Sequence, residues 1–161
     1  EITSKTHTDF DRLYEAIQSV LVDLAKQIVC DGEGAQKFIT IDILGADSDS
    51  DAYKIGMSVA NSPLVKTAVA GSDANWGRIV MAVGKAGMGI DQDVIGVRIG
   101  GFDVAKAGQR VENFDETPVA AHMQGRNIDI AVSVGTDSGS ARVYTCDLTH
   151  GYISINADYR S

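Results

Sequence analysis

The first third of the chain begins with an amphipathic helix, predicted over residues 9 to about 30. Apolar side chains recur there three and four positions apart, which is the spacing of one face of an α-helix. The helix is expected to end in the segment 31–34, because its glycines permit a sharp turn. The apolar face comprises Phe10, Leu13, Tyr14, Ile17, Val20, Leu21, Leu24 and Ile28.

A strand and three helices are expected next. Residues 38–43 alternate, with Ile39, Ile41 and Ile43 pointing to one side, as in a strand. Each helix is predicted from a residue that can cap its N-terminus. These helices are one after Ser48 or Ser50 to about residue 61, one after Ser62 with Pro63 first, and one from Asn75 to near Gly87.

The second half of the chain reads mostly as strands. We predict a strand over 94–99, a hairpin over 102–111, a short helix over 115–124 and an alternating strand over 128–134. Segments 141–147 and 152–156 are expected to form a final hairpin across Thr149-His150-Gly151. Because helices and strands interleave and hairpins are frequent, the fold class is α/β or α+β with a mixed sheet, in one domain over residues 1–161.

Composition narrows the range of partners. The chain has 161 residues, of which 44% are hydrophobic and 22% charged, as in ordinary globular domains. Its net charge is −8 and it has no cluster of Lys and Arg, which argues against nucleic acid and anionic membranes as partners. Cys30 and Cys146 fit no metal-ligand spacing, so we expect two buried free thiols, with a disulfide as the lesser alternative.

Five sequence blocks, in order, resemble one known family. It is the glutamate N-acetyltransferase/ornithine acetyltransferase (ArgJ) family of arginine biosynthesis. Each block alone is weak evidence, but the five together, with Trp and Cys at fixed places, are specific. The blocks are Asp31-Gly32-Glu33-Gly34-Ala35-Gln36-Lys37, Asn61-Ser62-Pro63-Leu64-Val65-Lys66-Thr67-Ala68, Gly71-Ser72-Asp73-Ala74-Asn75-Trp76-Gly77-Arg78, Tyr144-Thr145-Cys146-Asp147-Leu148-Thr149 and Asn156-Ala157-Asp158-Tyr159.

This resemblance implies a particular architecture and reaction. The family has a layered sandwich of mixed sheets and helices, and its precursor cleaves itself before a threonine that becomes the nucleophile for acetyl transfer. The chain resembles only the C-terminal part of the resulting β chain. We therefore expect no catalytic residue in it, and neither Thr3 nor Thr6 is assigned as the nucleophile. The resemblance also implies a cytoplasmic heterotetramer of two α and two β chains without cofactor or metal, and it leaves open whether acetyl-CoA also serves as donor.

Three residues are predicted to bind substrate. Glu33 lies between two glycines after a helix end, where the helix dipole disfavours an acid and where a carboxylate could pair with the amine of an amino acid. The resemblance carries substrate contact onto Glu33, and onto Asn156 and Ser161 near the end of the chain. Ser161 stands where the family usually has Thr, so the hydroxyl is kept, and Gln36 stands where Thr is common.

Other polar groups have structural explanations as strong as functional ones. Lys66 and Thr67 lie at a predicted helix start, where anions bind, but a solvent-facing lysine is the simpler interpretation. An Asp73–Arg78 ion pair beneath Trp76 is expected to order the next helix. The remaining candidates, which suggest neither a base–nucleophile pair nor a metal site, are His7, His122, His150, Asp47, Asp49 and Asp51.

Two other functions stay open. One is a non-catalytic amino-acid-binding or assembly fragment, since the nucleophile is expected elsewhere. The other is a related amidohydrolase with an N-terminal nucleophile, which would hydrolyse acetylornithine without transferring the acetyl group to glutamate.

Overall fold

The computed structural model describes residues 2–157 and has a mixed six-stranded sheet in the order β4-β3-β2-β5-β1-β6. β1 pairs with β5 in parallel, and the other neighbours are antiparallel. The predicted mixed α/β class is therefore confirmed. In chain order the elements are α1 (Phe10–Cys30), β1 (Phe38–Ala46), α2 (Asp49–Ala60), α3 (Pro63–Ala70), α4 (Trp76–Gly84), β2 (Gly96–Ile99), β3 (Phe102–Lys106), β4 (Gln109–Arg110), α5 (Thr117–Met123), β5 (Asn127–Ser133), β6 (Gly139–Cys146) and α6 (His150–Ala157).

The core lies between one face of the sheet and the helices α2 to α5. Ile39, Ile41 and Ile43 of β1 are fully buried there, as their alternation predicts. Leucine- and isoleucine-sized side chains contribute about 1.5–3 kcal/mol each when buried, so this strand is a main source of stability. Helix α2 packs along β1 and β6 and buries Ile55 and Val59.

Local capping chemistry sets the start of three helices. Ser48, Ser62 and Asn75 each accept a hydrogen bond from the backbone amide three residues on. The caps at Ser62 and Asn75 are as predicted, and of the two alternatives for α2 the structure has Ser48. Asp49 and Asp51 lie in the first turn of α2, where negative charge is favourable, which explains their spacing without a metal.

The opposite face of the sheet is only partly covered. Leu44 of β1 is 49% exposed on this face, and Arg142 donates to both carboxylate oxygens of Asp42 at 2.6 and 2.8 Å. Helix α1 touches this face near its C-terminal end, where Lys26 lies over the ring of Tyr144.

Helix α1 has the predicted extent but buries none of its residues. Apart from the half-buried Phe10, its apolar face is exposed, from 42% at Leu13 to 75% at Ile28. The expected burial of both thiols is wrong: Cys30 is exposed at the end of this helix and Cys146 is only half-buried. Both cysteines are free, as expected. Among residues 2–157, no helix has the length and apolar character needed to cross a membrane.

The last predicted strand is a helix. Residues 152–156 belong to α6, and β6 remains an edge strand of the sheet. The alternation of Tyr152-Ile153-Ser154-Ile155 suits a strand, but tertiary contacts override it. Tyr152 donates its amide to the carbonyl of Thr149, which starts a helical turn, and that turn packs against the 31–37 loop instead of pairing with β6.

Candidate functional site

Glu33 lies in the loop that joins α1 to β1, and its neighbour Gly34 touches the start of α6. Gly34 has a φ of +71°, which favours glycine. A Cβ added to Gly34 would lie 2.6 Å from the carbonyl carbon of Gly151 and closer still to the amide nitrogen of Tyr152. Both the backbone conformation and the close contact therefore require glycine beside Glu33.

Asn156 reaches Glu33 from the other side of this contact. Its Nδ2 donates to Glu33 Oε2 at 2.7 Å and to the carbonyl of Tyr152 at 2.9 Å. Helix α6, rather than the expected strand, positions this amide in its last turn. The two predicted binding residues are thus brought together although they are 123 positions apart in sequence.

The third predicted binding residue, Ser161, lies outside the residues that the structure describes. The same is true of residues 158–160, including Arg160. Substrate contact by Ser161 therefore stays a prediction.

Two side chains between β6 and α6 hold the Glu33 loop. Asp147 Oδ1 accepts the backbone amides of Gln36 at 2.8 Å and Lys37 at 3.0 Å. Thr149 Oγ1 donates to the carbonyl of Gly34 at 2.6 Å and accepts the amide of Gly151 at 3.1 Å. Both residues lie in the sequence block 144–149, but their sequence context predicts no role for them. The available signal was the pair of polar residues, Asp147 and Thr149, directly after a predicted strand.

A cleft of about 490 Å³ adjoins this loop and helix. Its walls come from the Gln36 loop, the C-terminal half of α3 and the first turns of α6. The lining combines apolar side chains with a few hydroxyl and amide groups, as small-molecule sites do. The lining residues are Gln36, Thr67, Ala70, Gly71, Leu148, Thr149, His150, Gly151 and Ile153.

Lys37, which directly precedes β1, links this strand to the end of α3 next to the cleft and to the end of α5. Lys37 Nζ donates to the carbonyls of Val69 at 2.9 Å and Met123 at 2.7 Å, and to Ser72 Oγ at 2.6 Å. These carbonyls belong to the last turns of α3 and α5, where a cation is favourable. Burial lowers the pKa of Lys37, and the nearby carboxylate of Asp147 opposes that shift. Lys37 therefore ties the wall of the cleft to the sheet.

The expected ion pair near Trp76 is wrong. Arg78 donates to the carbonyl of Leu64 at 2.9 Å, whereas Asp73 accepts from the side chain of Asn75 at 3.0 Å. The long side chain of Arg78 extends to a carbonyl of α3, so it links α4 to α3 instead of pairing with Asp73. Trp76 is half-buried and packs against the core, which suits a structural role.

Lys66 is half-buried rather than solvent-facing, and its Nζ lies 3.9 Å from Cys146 Sγ. Thr67, which lines the cleft, donates its hydroxyl to the carbonyl of Pro63 at 2.8 Å.

Two of the histidines have assigned surroundings. His122 Nε2 accepts the backbone amide of Asp129 at 3.0 Å, which is a structural role. His150 is exposed and lines the cleft.

Chemically, the arrangement is suited to binding rather than bond making. The Asn156 amide orients one carboxylate oxygen of Glu33, and an oriented carboxylate is the natural partner of an ammonium group. Within residues 2–157, no cluster of three or more His, Cys, Asp or Glu side chains could hold a metal ion.

Comparison with known proteins gives a consistent family match. The model of the ArgJ family matches residues 2–161. The arginine biosynthesis bifunctional protein ArgJ of Zymomonas mobilis is 59% identical over 99% of the chain, and that of Gluconobacter oxydans 58% identical over 91%. The chain spans 39% and 34% of these two relatives. The crystal structure of the protein of the same name from Bacillus halodurans superposes with a TM-score of 0.94 at 38% identity, covering 99% of the chain and 75% of that structure.

Proposed function

The chain belongs to the ArgJ family, and from this premise we propose that it is the substrate-binding part of an autoprocessed glutamate N-acetyltransferase of arginine biosynthesis. The observation that carries the proposal is the 2.7 Å hydrogen bond between Asn156 and Glu33. Two residues that the family resemblance assigns to substrate meet in this hydrogen bond. A cleft of suitable size is lined by other residues of the same two elements, including Gln36 and Gly151. The relatives' common name supports the pathway.

The proposed reaction proceeds through an acetyl-enzyme. A threonine hydroxyl on a segment outside this chain attacks the acetyl carbonyl of N2-acetylornithine, the amide C–N bond breaks, and ornithine leaves with the proton. The amine of glutamate then attacks the resulting ester, forms a new amide bond and regenerates the hydroxyl. The acetyl group is transferred without oxidation or reduction, so the reaction needs no cofactor.

In this reaction the described chain positions the amino acids. The Glu33 carboxylate binds a cationic amine of the substrate, and the Asn156 amide holds that carboxylate in place. Ser161 contributes a hydroxyl to the same substrate. Fixing these groups in advance lowers the entropy lost when substrate binds.

The partners that we propose are the α chain and the N-terminal part of the β chain of the same precursor. The exposed apolar face of α1 and the partly covered face of the sheet support this, because apolar surface of this kind marks an interface. We further propose a single domain for residues 1–161, a cytoplasmic location and a heterotetramer of two α and two β chains. Intact masses of all co-purified chains test the assembly, since a lone 17.0 kDa species would favour a binding or assembly fragment instead.

The proposal is tested by Glu33→Gln in the full enzyme. This change removes the charge but keeps an oxygen that can accept from Asn156. We expect kcat/KM with N2-acetylornithine and glutamate to fall about 10- to 150-fold, the effect of losing a hydrogen bond to a charged group.

Asp31→Asn is the matched control, because it removes the charge of an exposed acid in the same loop. Equal kinetics for both variants and the parent would refute the role of Glu33. Release of acetate from acetylornithine without acetylglutamate would identify an amidohydrolase. Acetylation of glutamate with acetyl-CoA in the same assay would show a second donor.

A further inference from the structure

The Thr149 hydroxyl links the two elements that carry Glu33 and Asn156. It donates to the carbonyl of Gly34, the residue after Glu33, at 2.6 Å. The same oxygen accepts the amide of Gly151, in the first turn of the helix that carries Asn156 in its last turn, at 3.1 Å. One side-chain atom is therefore bonded to both elements.

The Glu33 loop depends on such a link. Glu33 is exposed and lies between two glycines, which restrict backbone motion less than any other residue. The Asp147 carboxylate anchors the loop only further along, at Gln36 and Lys37. Of these two side chains, Thr149 acts closest to Glu33.

Thr149 also holds the first turn of α6. No residue of this helix is fully buried, so packing alone holds it weakly. The bond to the Gly151 amide satisfies a donor that a helix start otherwise leaves to water. A shift of the first turn of α6 would be transmitted along the helix to Asn156.

From this geometry we propose that Thr149 is a positioning residue for substrate binding, acting through Glu33 and Asn156. The inference rests on the proposed function. Thr149 touches the pair only through backbone groups, so its role is to hold the carboxylate and the amide together before substrate arrives. Substrate then does not have to order the loop, and binding is tighter.

The test compares Thr149→Val with Thr149→Ser in the full enzyme. Valine keeps the shape of threonine but has no hydroxyl, whereas serine keeps the hydroxyl. We expect Thr149→Val to lower kcat/KM about 5- to 30-fold, the equivalent of two ordinary hydrogen bonds, mainly through a higher KM. Thr149→Ser should stay within about twofold of the parent, because its hydroxyl can form both bonds. If Thr149→Val does not fold, Thr149→Ala removes the same hydroxyl.

A double-mutant cycle separates positioning from a general loss of structure. When Glu33 is already changed to Gln, Thr149→Val should lower kcat/KM by less than about twofold, because the negative charge that the link holds in place for the substrate amine is no longer there. An undiminished loss in that background, a failure of serine to rescue, or parental kinetics for Thr149→Val would overturn the proposal.

Amide hydrogen exchange provides a readout that does not depend on the reaction. Thr149→Val should weaken protection in residues 150–157 while the core strand β1 keeps its protection. If the parent enzyme transfers no acetyl group, the proposed function fails, and exchange alone decides the role of Thr149. Unchanged protection of residues 150–157 would refute the link between the loop and α6.

Discussion

Gly34→Ala tests whether the Glu33 loop must lie directly against α6. In the native structure, the added methyl group would overlap the backbone at Gly151 and Tyr152. The positive φ of Gly34, +71°, adds a cost of about 1–2 kcal/mol for any residue with a Cβ. The variant can relieve the overlap only by moving the loop or the helix.

The expected loss of global stability depends on which cost remains, the backbone strain at a positive φ or the overlap of the added methyl group. Overpacking of a rigid contact costs about 1–3 kcal/mol, but α6 has no fully buried residue and can shift away cheaply. We therefore expect the loss of global stability to be close to the backbone cost alone, about 1–2 kcal/mol. The shift of α6 should separate Asn156 from Glu33, so that kcat/KM falls by about tenfold or more, as expected when a charge-assisted contact is lost.

Gly87→Ala is the matched control. Gly87 has a φ of +70°, and an added Cβ there has nothing within 4 Å. Both variants carry the same backbone strain, and only Gly34→Ala forces the loop and the helix apart. The assays are the apparent melting temperature, acetyl transfer to glutamate, and hydrogen exchange in residues 150–157. The reasoning is refuted if Gly34→Ala matches Gly87→Ala in both kcat/KM and exchange of α6.

Two further predictions concern the wall of the cleft and the end of the chain. Lys37→Met should lower the free energy of unfolding by about 2–4 kcal/mol, because the carbonyls of Val69 and Met123 lose a charged donor. Denaturation of the full enzyme measures this free energy. A loss below about 0.5 kcal/mol, which is ordinary for a surface change, would contradict the prediction. Ser161→Ala should raise KM for acetylornithine about threefold to tenfold, the effect of losing one neutral hydrogen bond. Ser161→Thr should keep the activity of the parent, because it keeps the hydroxyl. Equal KM values for the parent and both variants would show that the hydroxyl does not contact substrate.

Local chemistry made much of the fold predictable. The caps at Ser48, Ser62 and Asn75 depend only on residues three positions away, so the sequence shows both partners. The alternation of Ile39 and Ile41 likewise reports a face of β1 directly. Helix starts and strand faces of this kind are determined by residues that lie within a few positions of each other.

The errors concern interactions between distant segments. Residues 152–156 form a helix because the turn after Thr149 packs on the 31–37 loop, which no local pattern reveals. The spacing in α1 correctly indicated one apolar face, but spacing does not say whether another element covers that face.

The candidate site was predictable in its members but not in its geometry. Glu33 was suggested by its place between glycines and, with Asn156, by the family resemblance. Their direct hydrogen bond was not foreseen, because it depends on the docking of α6. The roles of Asp147 and Thr149 also depend on distant contacts, since their partners in the Glu33 loop are 110 or more positions away.

The pairing of β1 has a consequence for the order of folding. β1 pairs with β5 and β6, whose first residues, Asn127 and Gly139, emerge from the ribosome long after Phe38. The loop that must close before these pairs form is long, and pairings of this kind fold slowly. During synthesis, the isoleucine-rich β1 therefore remains without its neighbouring strands until the last third of the chain has been made. The contact between Glu33 and Asn156 needs still later residues, so the binding pair can assemble only after every strand of the central sheet has been synthesised.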